Sequence, residues 1–209
     1  EGIARAVAFG DLCRVPTLVG GHMFNMYEKS VIHSFGERVH EYSFFWGSVP
    51  GTNEAHDFAR HNLRDSPWMH KRVDVDFNGW WMCLIPTSVI RELGLSLPVF
   101  IKWDDAEYGL RARRAGYPTV SFPGAAVWHV PWTDKDDTID WQAYYHQRNR
   151  WLAAMLYTRY DKGGSLPRLS FAADVKMLVS MRYSAVELRL RALEDLLDGP
   201  SHLHPGMLS

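Results

Sequence analysis

Near Thr138 the texture of this chain changes, and the change limits the folds open to it. Upstream, apolar residues come in short runs broken by Gly, Pro and charge. Residues 2–14 read as a helix with Ile3, Val7, Ala8 and Leu12 on one face, closed by Pro16. Thr17-Leu18-Val19 reads as a strand stopped by Gly20-Gly21, and Ser43 to Trp46 as a strand or loop anchor. Residues 48–70 form a long polar loop. From Arg72 to Pro86 the pattern is strand-like, and Gly79 within it predicts a bulge or a close backbone approach. A short helix to Leu93 follows, then a strand over Val99–Lys102 and a helix from Asp104 to Ala115 ended by Gly116. Thr119–Phe122 and Ala126–Trp128 read as two further strands. Downstream come three helical patterns, at 139–160, 169–182 and 184–197. The fold class is therefore α/β over residues 1–138, followed by a helical region over 139–209.

The composition excludes several functions. A formal net charge of −1 lacks the basic footprint that nucleic-acid binding needs. No apolar run approaches the roughly 18 residues of a membrane span, and no signal peptide is visible. Cys13 and Cys83 make neither a CxxC pair nor a disulfide framework, which predicts reduced thiols and a cytoplasmic location. No GxGxxG, P-loop, GxSxG or HExxH motif occurs, which disfavours dinucleotide, P-loop, serine-hydrolase and zincin chemistry.

The segment Lys102-Trp103-Asp104-Asp105-Ala106-Glu107 sets two carboxylates where a strand pattern gives way to a helix pattern. Asp104 with Glu107 three residues on is a capping box. Asp105 then becomes the first helical residue, where the macrodipole favours an anion. An anion there can serve as a general base if a substrate hydroxyl comes within hydrogen-bond reach, or it can simply complete the helix end. Asp74-Val75-Asp76 can be read as a cation-binding pair or, more simply, as a solvated strand face. His129 ends a strand pattern 24 residues after Asp105 and could return to the same sheet edge as a metal ligand or stay structural. Six of the nine tryptophans fall between Trp80 and Trp141, which suits either an aromatic core or a sugar-binding surface.

Several motifs occur here in one order: Asn78-Gly79-Trp80-Trp81, Ile101 to Arg111, Pro123 to His129, Asp134-Lys135-Asp136-Asp137 and Ile139 to Tyr144. Together they resemble the polymerising galactofuranosyltransferases that build cell-wall galactan in actinobacteria of the mycobacterial type. The resemblance covers nearly the whole chain and is densest from 72 to 150. It implies the C-terminal half of a GT-A, Rossmann-like glycosyltransferase domain, followed by helices. It also implies inverting transfer of galactofuranose from UDP-galactofuranose to a galactan or lipid-linked oligosaccharide acceptor, through β-1,5 and β-1,6 links.

By this resemblance Asp105 is the general base, and His129 completes a divalent-cation site for Mn2+ or Mg2+. Trp80, Trp81, Lys102, Asp104, Trp132 and His146 shape the sugar pocket. His33, Glu37 and Trp46 fall in the acceptor segment. The family's nucleotide-binding half and its metal-binding DxD precede the matched region. The chain, which starts at Glu1 and not at Met, is accordingly expected to be a fragment of the acceptor side, with weak donor binding on its own.

Two alternatives stand beside this reading: a GT-A transferase using another UDP-sugar, and a non-catalytic glycan-binding module. The tail carries Arg148, Arg150, Arg182, Arg189 and Arg191 beside apolar residues. Ordinary helix packing explains that pattern first, and peripheral attachment to the inner face of the plasma membrane second. Homo-oligomerisation is left open.

Overall fold

The computed structural model describes residues 1–52, 55–131 and 138–200. It is a mixed α/β structure that divides into two compact units. One unit holds residues 1–39, 46–95 and 105–131 and contains the main sheet. The other holds residues 40–45, 96–104 and 138–200 and is helical.

The sheet unit opens with α1 (Gly2–Leu12), then β1 (Leu18–Asn25) and β2 (Ile32–Ser34). A two-stranded sheet pairs β3 (Glu37–His40) with β4 (Phe45–Ser48). After two short 3-10 turns come β5 (Val73–Asp74), β6 (Cys83–Leu84), α2 (Thr87–Leu93), α3 (Asp104–Arg114) and β7 (Thr119–His129). The main sheet runs β2-β1-β7-β5, with β6 also on β1. Strands β1 and β7 are parallel, from Leu18 opposite Thr119 to Asn25 opposite His129. The other edge of β1 is shared by two antiparallel partners, β6 at Val19–Gly20 and β2 at Met23–Phe24.

Successive residues of β1 point to opposite faces. Val19 packs with Ala6, Val120 and Ala125, so α1 covers one face. Leu18 packs with Val89, Tyr108 and Ala112, so α2 and α3 cover the other. A parallel pair buried on both faces needs a continuous apolar strand, and Leu18 to Met23 is buried throughout. Helix α3 ends where Gly116 turns left-handed, at φ 92°; the N–H of Tyr117 bonds back to the Ala112 carbonyl. Its last turn carries Arg111, Arg113 and Arg114, which suit the negative end of the helix dipole.

In the helical unit α4 (Gln142–Tyr157) packs on α6 (Tyr183–Leu197), which also packs on α5 (Leu166–Val179). Buried alanines at 143, 153, 154, 185 and 192 leave little side chain between helices. An Arg189–Asp174 ion pair ties α6 to α5.

Four expectations are corrected. The strand at Thr17–Val19 does not stop at Gly20-Gly21 but runs on to Asn25. The glycines are interior strand positions where neighbours need the space of a side chain. The strand-like stretch 72–86 is not one strand: it forms short strands only at Val73–Asp74 and Cys83–Leu84, with an isolated bridge from Phe77 to Glu37 between them, because the loop between them turns in toward β1. The two strands at 119–122 and 126–128 are one strand whose register with β1 jumps between Ser121 and Ala126. Gly124, at φ 90°, takes up that bulge. Val99–Lys102 is no strand: Ile101, Lys102 and Trp103 all have positive φ (44°, 101° and 67°).

Candidate active site

In the sheet unit β1 serves as the ruler along which site residues are set. At Gly20 it faces Cys83 of β6, and the Asp105 carboxylate is near enough to act on that thiol. Burial, and then the Asp105 charge, push Cys83 up to about 12, so the sulfur stays a neutral thiol. One residue on, the Trp81 indole donates to the Gly21 carbonyl at 3.0 Å. At its end, Asn25 stands opposite His129. Gly20 to Asn25 is five residues, roughly 16 Å of extended chain.

Missing side chains make this arrangement. A Cβ on Gly20 would lie 2.0 Å from Asn78 Oδ1, and one on Gly79 would lie 1.9 Å from the Trp81 ring. The close approach predicted at Gly79 is there. Asn78 fills the space over Gly20 and donates to the Val120 carbonyl at 3.1 Å. The loop 78–82 is thereby held against the sheet with Trp80 turned outward. Its ring is 40% exposed and leans on Tyr108, centroids 6.0 Å apart. Tyr108 is fixed by a 3.1 Å bond to the Gly94 carbonyl.

Asp105 lies in the first turn of α3, where unpaired N–H groups favour an anion. Its Oδ1 accepts the Ala106 N–H at 2.7 Å. The helix begins at Asp104, and the Asp104 carboxylate accepts the Lys102 N–H at 3.2 Å. Glu107 holds Arg111 at 2.9 Å. The boundary between the two units falls at the Asp104–Asp105 bond, so the two carboxylates belong to different units.

His129 is exposed at the C-terminal end of β7. Its Nδ1 lies 2.7 Å from the Val130 carbonyl. A carbonyl can only accept, so Nδ1 is the donor here, which leaves Nε2 as the nitrogen able to face a metal. His129 thus fits as one cation ligand. Among the described residues no cluster of three His, Cys, Asp or Glu completes such a site. Asp76 does not serve: one oxygen accepts the Val39 N–H at 2.9 Å and the other pairs with Arg113. Asp74 is exposed and stands 3.6 Å from Arg72. The pair is structural on one side and solvated on the other.

Glu37, buried at the start of β3, receives the Ser34 hydroxyl at 3.1 Å. Its partner strand β4 carries Trp46, and His33 is in β2. Both rings are half-buried. Trp132, expected in the sugar pocket, and the acidic run 134–137 lie outside the described residues.

Lys102, Asp104 and His146 belong to the helical unit, where reading the sequence missed the residues that place them. Gln147, Arg148, Asn149 and Arg150 form a whole turn of α4 and are all buried, at 0%, 6%, 1% and 4% exposure. Asn149 donates to the carbonyls of Phe100 (3.1 Å) and Lys102 (2.8 Å). Arg150 donates to those of Phe44 and Ser43, both at 2.7 Å. These acceptors flank the left-handed residues at 101–103 and at Phe44, φ 50°. Each such residue costs on the order of 1–3 kcal/mol, and a buried polar turn offsets it with hydrogen bonds. The available signal was Gln-Arg-Asn-Arg within an otherwise apolar and aromatic helix pattern, which resembles a solvated face.

Residues 23–154 match the family described as glycosyltransferase like family 2, and the chain belongs to that family. It is similar to the galactofuranosyltransferase GlfT2 of Mycolicibacterium smegmatis, with 48% identity over 97% of this chain and 32% of that protein. Against GlfT2 of Mycobacterium tuberculosis the identity is 47%, over 97% of this chain and 33% of that protein. The chain thus spans about a third of the length of these relatives.

Proposed function

We propose that this chain forms the acceptor-side part of an inverting galactofuranosyltransferase, with UDP-galactofuranose as donor and a growing galactan as acceptor. The observation that supports this best is the Asp105 carboxylate in the first turn of α3, in the unit that also turns the Trp80 ring outward. The relatives' printed activity supplies the substrate class.

In this reading the Asp105 carboxylate takes the proton of an acceptor hydroxyl. The freed oxygen attacks the anomeric carbon of the donor as the bond to the UDP oxygen breaks, inverting that carbon. Trp80 and Trp81 offer ring faces to furanose. Lys102, Asp104 and His146 of the helical unit, with His33, Glu37, Trp46 and Trp132, take the pocket and acceptor roles. Orientation of the hydroxyl in line with the breaking bond is the main gain. His129 contributes one nitrogen to a divalent cation whose other ligands come from elsewhere. When bound, that cation neutralises charge on the departing diphosphate.

No helix among the described residues is long and apolar enough to cross a membrane. Access to a lipid-linked acceptor would come through peripheral attachment at the inner membrane face. Links of the β-1,5 and β-1,6 type belong to the same reading.

The exposed Trp80 ring also suits a glycan-binding module without turnover. Asp105→Asn in the full-length protein separates the two. Transfer is expected to fall by roughly 10²–10⁴-fold with acceptor affinity kept within about twofold. Unchanged turnover with UDP-galactofuranose would remove the base assignment. An inactive wild type that still binds glycan would favour the module.

A further inference from the structure

The helical unit contains a cavity of about 420 Å³, within the range of small-ligand sites. Arg150, Lys176, Arg182, Arg189, His146 and Phe45 line it, and no carboxylate does so among the described residues. The four cations come from three places: α4, the last turn of α5, and α6 with the turn before it.

Their surroundings differ. Arg189 pairs with Asp174 and also donates to Ser170, so its charge is balanced within the protein. Arg150 is 4% exposed and has no carboxylate partner among the described residues. Its Nε and one terminal nitrogen go to carbonyl oxygens, and its guanidinium lies 4.1 Å above the Phe45 ring. Carbonyl oxygens and a ring face satisfy donors but bring no counter-charge. Burial, and then the Arg189 charge, hold Arg150 down at about 10. A buried cation without a counter-ion is unfavourable, and an anion in the cavity would relieve that.

Lys176 and Arg182 are solvent-exposed residues of the lining. Ala143, Ala173 and Ser180 keep the lining low between the cations. One carboxylate, with two oxygens and a single charge, would engage only part of such a set. A phosphate-type group has more oxygens and charge, and arginine forks match its geometry.

We infer that this cavity binds the phosphate or diphosphate group of a ligand, held by Arg150, Lys176 and Arg182. The inference goes beyond the transfer reading: the lining residue His146 is common to both, but Asp105, Trp80 and His129 are not used.

Inorganic pyrophosphate is the probe, titrated into the purified protein by calorimetry at low ionic strength. Lys176→Glu/Arg182→Glu changes two exposed residues, so its fold should survive, with circular dichroism as the check. Its affinity for pyrophosphate is expected to fall at least tenfold, while Arg114→Glu in the sheet unit leaves affinity unchanged. Arg150→Gln should weaken binding similarly; because it also gives up hydrogen bonds to the Phe44 and Ser43 carbonyls, its fold is checked by circular dichroism in the same way. Asp105→Asn should bind pyrophosphate normally even where transfer is lost, which separates a failure here from a failure of the transfer reading. Competition then names the source. Displacement by UDP indicates a soluble nucleotide, and displacement by phosphatidate-containing vesicles but not by pure phosphatidylcholine indicates a lipid headgroup. Equal affinity in wild type and the double variant, or no binding by wild type at millimolar pyrophosphate, overturns the proposal.

Discussion

The sheet unit and the helical unit each hold an irregular loop that carries candidate site residues, and they do so by opposite means. Loop 78–82 is held by removal of side chains. Gly20, Gly21 and Gly79 leave gaps into which Asn78, Met82 and the Trp81 ring fit. Loop 100–103 is held by addition of polar groups. A buried turn of α4 reaches out with Asn149 to carbonyls that the left-handed backbone leaves exposed. The first device tolerates no added atom. The second tolerates no lost hydrogen bond. Substitutions that enlarge should therefore break one unit, and substitutions that truncate should break the other.

The units also differ in the ionisable groups they bury, and here the largest effect is expected. The helical unit buries the arginines Arg148, Arg150 and Arg189. The sheet unit buries His22, 3% exposed, with ring-edge contacts to Phe24 and Phe35. Burial lowers this imidazole from 6.5 to about 4. Below pH 6.5 the unfolded chain takes up a proton that the native ring refuses. The stabilisation is therefore complete above pH 6.5 and lost as pH falls toward about 4, on the order of 3 kcal/mol in all. Urea unfolding at pH 7, 5.5 and 4 should show this loss. His22→Phe should flatten it, and amide exchange should quicken in β1 and β7 before α4 and α6. If His22→Phe keeps the wild-type slope, the acid sensitivity lies elsewhere.

Gly79→Ala comes next. Its methyl must displace the Trp81 ring, at a cost of about 1–3 kcal/mol. Loss of the Trp81–Gly21 bond should follow, read as a red shift in tryptophan emission. Gly94→Ala is the control, because open space surrounds that position and only the backbone strain at φ 80° opposes it. Equal costs at the two sites would mean that backbone conformation, not the space at Gly79, sets the effect.

Much of this was legible from residue pattern, for reasons the two units make plain. Amphipathic periodicity is local, so α1, α3, α5 and α6 lie close to where the pattern put them. The Asp104-Asp105 junction was legible because a helix end leaves a local signature of acidic residues and glycine. Gly20-Gly21 misled because a glycine pair punctuates loops more often than it opens room inside a strand. Only the distant Asn78 and Met82 show which it is. Gln147 to Arg150 carried no local mark of their role for the converse reason: a charged turn normally faces water. The carbonyls that draw it inward belong to residues about 50 and 106 positions away. Long-range compensation of this kind has no counterpart in nearby sequence.

Asn149→Ala is the smallest of these effects and the most direct test of polar support. It removes both amide bonds to the 100–103 loop and leaves two carbonyls without that partner, which should cost about 1–3 kcal/mol. Since Ile101, Lys102 and Trp103 are left-handed only while held, part of that cost should return as relief of strain, bringing the net loss toward 1 kcal/mol. The signature is then positional more than energetic. Exchange of the amides at 100–104 should quicken by tenfold or more with the rest of α4 unchanged. On the transfer reading proposed above, activity of the full-length protein should fall with displacement of Lys102 and Asp104. Asn149→Asp supplies the contrast, since it retains the shape but offers acceptors to carbonyls that need donors, and it should be at least as damaging as alanine. If aspartate restores wild-type exchange, the loop is held by packing around Trp103 and Phe44, and the helical unit works by space filling after all.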